Sequence, residues 1–309
     1  MVNNVYIDIR FIRGSMKYLN CLLAMSSLFL LASCSEKHFT EDKIYAGNVY
    51  ASAESMNHGK SIYTEYCMPC HGVNGDGKGV SYKGLTVPPR NFKLGLYKFG
   101  RVVSGELPHD EDFYQILKKG LHGTAMLPWD LSEKQMFDVV QYIKTFAPEK
   151  WVGADKKLGE SIVATRDPYG EAHKESAIKR GKEVFHVVAQ CWTCHRAYTS
   201  HAELSEISQK INGKPITEFD SEMYHVKLQP SDHGWPTMPP DFTKDFVRSA
   251  VTEEDLYIRL NAGVGGTAMP SWKGTLQDDE IWAVAYYVKS LMDLRNTPDR
   301  QKLLDSIKN

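Results

Sequence analysis

The sequence predicts a mostly α fold made of two tandem copies of one small helical domain. Three observations carry that prediction: one succession of short motifs occurs twice, the longer apolar patterns have helical spacing, and long strand signals are missing.

The elements of the repeat follow in order. Gly59-Lys60-Ser61-Ile62-Tyr63 is answered by Gly181-Lys182-Glu183-Val184-Phe185, each leading helically into a pair of cysteines. Pro88-Pro89-Arg90-Asn91-Phe92 is answered by Pro239-Pro240-Asp241-Phe242. Glu111-Asp112-Phe113 and Glu254-Asp255-Leu256 open helices expected over Asp112 to Lys119 and Asp255 to Asn261, each stopped by a glycine, Gly120 and Gly263. Gly123-Thr124-Ala125-Met126 with Trp129 then matches Gly266-Thr267-Ala268-Met269 with Trp272. Last, Leu131 to Phe146 aligns with Leu276 to Leu291. In this pair Met136, Val139, Val140 and Ile143 share one helical face, and Ile281, Val284, Ala285 and Val288 repeat it. Ser132 suits an N-cap, and Asp278 and Asp279 sit favourably near the positive end of the second helix.

The copies span 55–147 and 176–295. Residues 148–175 lose helical periodicity and read as a linker, 35–54 as a polar tether, and 296–309 as a C-terminal tail. His71 to Met126 covers 55 positions and His195 to Met269 covers 74, so the second copy carries 19 additional residues, placed within about 200–235. That insertion holds His201, Met223, His225 and His233, at spacings that match no familiar metal site; a surface excursion, serving a partner contact or covering a cofactor edge, is the simpler reading.

Residues 1–34 read as an export signal. Lys17 precedes an apolar run, Leu22 to Leu31, too short to span a membrane comfortably, and the run ends in Leu31-Ala32-Ser33-Cys34. This resembles the bacterial lipoprotein signal, which implies that Cys34 becomes the first mature residue and carries lipid on the periplasmic side. Ser35 would not retain it at the inner membrane as an aspartate would. Met16-Lys17 makes a better start than Met1. The competing readings are an ordinary cleaved signal, giving a soluble periplasmic protein, and an uncleaved anchor.

Six cysteines are present: Cys21 and Cys34 belong to the signal, and the other four form Cys67-Met68-Pro69-Cys70-His71 and Cys191-Trp192-Thr193-Cys194-His195. Two disulfides or a zinc site could use four thiols, but neither explains a histidine directly after each pair. C-x-x-C-H is the spacing that attaches c-type haem: each thiol bonds one vinyl group and the adjacent imidazole reaches the iron. Two such motifs predict two haem c groups.

The order of elements resembles class I cytochromes c over about 55–147 and 176–295. The resemblance implies a small helical fold around covalent haem in each copy, with His71 and His195 as proximal iron ligands and Met126 and Met269 as distal ones. In the first copy Leu127 separates Met126 from Pro128, whereas Pro270 follows Met269 directly. Both methionines occupy the same place in the repeat, whereas His122 aligns with Gly265 and Met136 with Ile281. Met238 stays open as a competitor at the second iron, and His109, His225 and His233 are further rivals in the chain. Trp129 and Trp272 read as packing residues near the haem edge, and a carbonyl near Pro88 or Pro89, or near Pro239 or Pro240, would hold each proximal imidazole.

With 42% hydrophobic and 24% charged residues the chain is near the soluble average, and without residues 1–34 its formal charge is −3, which leaves no nucleic-acid footprint. A thioether opposite imidazole closes the iron and raises its potential, which suits electron transfer. The expected function is therefore a non-enzymatic electron carrier between a respiratory donor and a reductase or terminal oxidase. Its partners would be redox proteins and, through the lipid, a membrane, with no small-molecule substrate. A dihaem peroxidase or thiosulfate dehydrogenase would need an open or unusual axial position. A permanent haem subunit of a larger oxidoreductase complex would share the chemistry and differ in partners.

Overall fold

The computed structural model describes residues 38–307; the expected signal and Cys34 lie outside them. The first element is a hairpin of β1 (Lys43–Tyr45) and β2 (Val49–Ala51), paired antiparallel. It falls in the segment read as a tether, and it is folded because Tyr45 and Ala51 are buried, the Tyr45 hydroxyl donating to the carbonyl of Gln141 at 3.3 Å.

In the first copy α1 (Ala53–Ile62) runs through a π-helical turn, Tyr63–Cys67, into the short α2 (Met68–His71). A long loop leads to α3 (Asp110–Lys119), then α4 (Glu133–Lys144). The expected apolar face of α4, Met136, Val139, Val140 and Ile143, is buried, and Ser132 caps the helix by accepting from the Gln135 amide while Gln135 Oε1 accepts from Ser132. Helix α1 crosses α4 at Gly59, where a Cβ would stand 2.0 Å from the Asp138 carbonyl oxygen, so only glycine permits this approach. Buried Lys144 ties α4 to α3, its Nζ 2.5 Å from Asp110 and 2.9 Å from Gln141.

The linker segment packs along the first copy. It begins with α5 (Pro148–Trp151), whose Trp151 is buried, and continues along the first copy, Gly159 donating to Leu107 O at 2.9 Å and Ile162 to Arg101 O at 2.7 Å. The second copy has α6 (Lys174–Glu183), a π-helical turn at Val184–Val188, α7 (His201–Asn212) within the insertion, α8 (Glu253–Ala262) and α9 (Asp278–Asp293). Helix α6 crosses α9 at Gly181, where a Cβ would again lie 2.0 Å from a carbonyl, that of Ala283. The buried face of α9 includes Ile281, Val284, Ala285 and Val288. The tail forms α10 (Pro298–Ser306), whose start is tied back by Arg300 to Thr243 at 3.1 Å.

The fold is thus mostly helical and duplicated. No helix among the described residues is long and apolar enough to cross a membrane.

Residues from Glu41 onward form one compact unit, so the two copies are joined directly. Arg259 of α8 is the main fastener. Its Nη1 donates to Gly100 O at 3.1 Å and Gly263 O at 3.0 Å, its Nη2 to Phe99 O at 3.1 Å, and its Nε to Ser249 Oγ at 3.2 Å. Around it Ser104 N donates to Ala262 O at 2.8 Å and His122 N to Arg248 O at 3.1 Å.

Candidate haem sites

The first C-x-x-C-H motif begins on the last residue of its π-helical turn and the second begins three residues after its own, each turn widening the helix by about one residue per turn. Cys67 lies eight residues after Gly59, but Cys191 lies ten after Gly181. Gln190, in the left-handed region at φ +49°, absorbs the excess, and the second motif starts as a short 3₁₀ turn, Cys191–Thr193, instead of a helix. The four thiols form no disulfide, and no group of three or more potential metal ligands occurs among the described residues. Burial pushes the Cys67 and Cys191 thiols up to about 12, so both are neutral.

Each histidine of the motifs is oriented in the same way twice. His71 Nδ1 donates to the carbonyl of Arg90 at 3.0 Å, and its ring stacks on Phe92 with centroids 4.5 Å apart. His195 Nδ1 donates to the carbonyl of Pro240 at 3.4 Å, and its ring stacks on Phe242 at 4.8 Å. With Nδ1 engaged, Nε2 is the nitrogen left to ligate. Burial holds the imidazole of His71 below its ordinary range and that of His195 down to about 4, so both are neutral bases. The first acceptor stands one residue beyond Pro88-Pro89, while the second is one of the expected prolines.

The methionine loops are also built twice. Thr124 Oγ1 donates to Leu121 O and accepts from Met126 N, and Leu121 N donates to Met126 O at 2.8 Å. Thr267 Oγ1 donates to Val264 O and accepts from Met269 N, and Val264 N donates to Met269 O at 3.1 Å. Gly120 and Gly263, at φ +66° and +72°, turn the chain into these loops, and a Cβ at either would meet the methionine carbonyl within 2.8 Å. Trp129 packs near Tyr66 at 5.5 Å, and Trp272 joins the core that also receives Met269 and Cys191.

The rival groups lie elsewhere. Met136 is core, Met238 is 63% exposed, and His109 Nε2 donates to Gly159 O at 2.9 Å. The insertion's histidines do not converge: His201 stacks on Phe219 at 4.1 Å, His225 is exposed beside Glu222, and Met223 is buried with Leu204 in a small core of the insertion. Tyr198 and Thr243, which the sequence did not single out, complete the second site. The Asp241 carboxylate accepts from Tyr198 Oη at 3.0 Å and from Thr243, and Tyr198 Oη accepts from Phe242 N at 2.7 Å, which fixes the segment bearing Pro240 and Phe242.

Paired thiols, an adjacent imidazole with its other nitrogen engaged, and a loop-held thioether form a donor set that fits haem c. A family model described as cytochrome c oxidase, cbb3-type, subunit III matches residues 54–143 and again 176–288. The chain belongs to this cbb3-type subunit III family. Two matches in one chain make it a tandem cytochrome c, and the chemistry of these domains is haem-based electron transfer. This subunit III relative is also similar to a chain of the Kuenenia stuttgartiensis reducing HAO-like protein complex Kustc0457/Kustc0458, with 33% identity and a TM-score of 0.59, over 76% of this chain and 95% of that one. No curated protein matches it.

Proposed function

We propose that this cytochrome is an exported dihaem carrier that passes single electrons between a respiratory donor and a reductase or terminal oxidase. Cys67 and Cys70 would attach one haem and Cys191 and Cys194 the other, with His71 and Met126, and His195 and Met269, as axial ligands. The observation that carries this reading is the identical threonine turn holding Met126 and Met269. Haem so ligated supplies reversible one-electron Fe(III)/Fe(II) exchange with no open position.

The protein's part is to hold. The carbonyls of Arg90 and Pro240 keep each imidazole facing one way, Phe92 and Phe242 fix the ring planes, and the threonine turns keep the thioethers in place, so little rearrangement accompanies a change of charge. Direct packing of the two copies, through Arg259 to the carbonyls of Gly100 and Phe99, supports electron passage between them.

Absorption spectra of the oxidised and reduced protein test this. Two haems per chain and a weak red methionine–iron band that falls in Met126→Leu and again in Met269→Leu are expected. Rapid carbon monoxide binding to either native ferrous haem would overturn the carrier reading in favour of an enzyme of the peroxidase or thiosulfate dehydrogenase kind. A permanent place in a larger oxidoreductase complex is a second reading, favoured by the similar chain being part of a complex; it predicts co-purification with an enzyme subunit. For the anchor, Cys34→Ser should release the protein from the periplasmic face of a membrane, and unchanged retention would remove the lipid.

A further inference from the structure

His233 stands in the insertion, away from both motifs, yet it is 2% exposed and touches both copies. Arg90 Nη1 lies 2.7 Å from its Nδ1, and its Nε2 lies 3.0 Å from the carbonyl oxygen of Gly265. A guanidinium can only donate, so Nδ1 must accept, and the ring proton must sit on Nε2 and be given to Gly265. The imidazole is therefore neutral and of one tautomer; burial, with the Arg90 charge beside it, pushes its pKa down to about 4.

The two partners matter because of what else they hold. Arg90 is the residue whose carbonyl accepts from His71. Gly265 opens the loop that carries Met269, and its own amide donates to Lys98 O of the first copy at 3.1 Å. The Nε2 edge of the ring also packs against that loop, since a Cβ at Gly266 would fall 2.7 Å from Nε2. The strap holding it is itself tied down: Asp232 N donates to Gly266 O at 3.0 Å, and Ser231 Oγ accepts from His233 N and donates to Trp235 O.

We propose that His233 is a positioning residue shared by both iron sites, setting the acceptor of the first proximal histidine and the methionine loop of the second copy in one register. This rests on the ligand roles proposed above. The 19-residue insertion then has a use: it delivers a single ring to the seam between two sites.

The test is spectroelectrochemical titration of the full-length, haem-loaded protein, with the first centre assigned by its shift in Met126→Leu. In His233→Ala the Arg90 segment loosens, the bond that makes His71 more basic weakens, and the first midpoint rises. The Met269 loop loses its anchor, the methionine–iron bond weakens, and the second midpoint falls. Each shift should be at least threefold in the Fe(III)/Fe(II) equilibrium constant, about 28 mV at 59 mV per tenfold, and the second centre's methionine–iron band should weaken. His233→Gln, which can accept from Arg90 and donate to Gly265, should restore both. If His233→Ala does not load haem, Arg90→Met, which keeps the stem and removes the donor to Nδ1, should give the same pair of opposite shifts. Unmoved midpoints, or movement of one centre alone, would overturn the proposal. A wild-type protein without the methionine–iron band would instead remove the ligand reading, so the two failures are distinguishable.

Discussion

Arg259→Leu should separate the two copies energetically. In the native fold Arg259 is 9% exposed and gives hydrogen bonds to three carbonyls, those of Phe99, Gly100 and Gly263, and to the Ser249 hydroxyl, with no carboxylate partner in the salt bridges of the described residues. Burial draws its pKa down to about 10, which leaves it charged at neutral pH. Each charge-assisted bond is worth about 1.5–3 kcal/mol net, but the bonds share one desolvated guanidinium and do not add. A loss of about 3–5 kcal/mol, the upper end for a single substitution, is expected. Arg259→Lys keeps the charge and reaches fewer acceptors, so it should lose roughly half as much. The assay is guanidinium denaturation followed in parallel by far-ultraviolet circular dichroism and by haem absorbance. Wild type should give one coincident transition, and Arg259→Leu should split it, because the seam no longer couples the copies. A loss under about 1 kcal/mol, inside the range of surface changes, together with a single transition, would refute the idea that this guanidinium fastens the seam.

The helix crossings give a second prediction. Gly59→Ala and Gly181→Ala each place a Cβ 2.0 Å from a carbonyl oxygen, so each should cost at least the ~1–3 kcal/mol of an overpacked core, read as a lowered midpoint in thermal denaturation. A third concerns pH. Burial raises the Asp138 carboxyl, but donors outweigh it: His58 at 2.6 Å, Lys134 at 2.6 Å and the Ser55 hydroxyl hold it below the ordinary range. A depressed pKa means that its contribution is present above the unfolded value near pH 4 and is lost as pH falls through the folded one. Asp138→Asn should therefore be less stable than wild type at pH 7, by about 1–3 kcal/mol, with the gap closing in acid. A gap independent of pH would show that the carboxylate charge is not what holds α1 to α4.

The repeat made much of this legible. Positions that recur had to serve the same purpose twice, and the apolar faces of α4 and α9, the crossing glycines and the methionine loops all come from recurring residues. What anchors residues 35–54 and 148–175 is not legible in the sequence, for a physical reason. Tyr45 and Trp151 are single aromatic anchors in segments without periodicity, and periodicity was the only signal available there. Lys144 and Asp110 look like ordinary solvated helix charges in the sequence; only the crossing of α3 and α4 buries them against each other.

The seam between the copies was hidden for the opposite reason: it is made where the copies differ. Arg259 stands where the first copy has Ile116, and His122 stands where the second has Gly265. Arg90 belongs to a proline segment whose counterpart carries Asp241, which turns inward to Tyr198 and Thr243 rather than across. His233 has no counterpart at all. A duplicated domain begins with two equivalent surfaces, and a one-sided contact between them requires each copy to lose its equivalence there. The departures from the repeat are therefore the places to look for coupling between the two centres, and Arg90, His233 and Gly265 connect those departures to the segments that hold His71 and Met269.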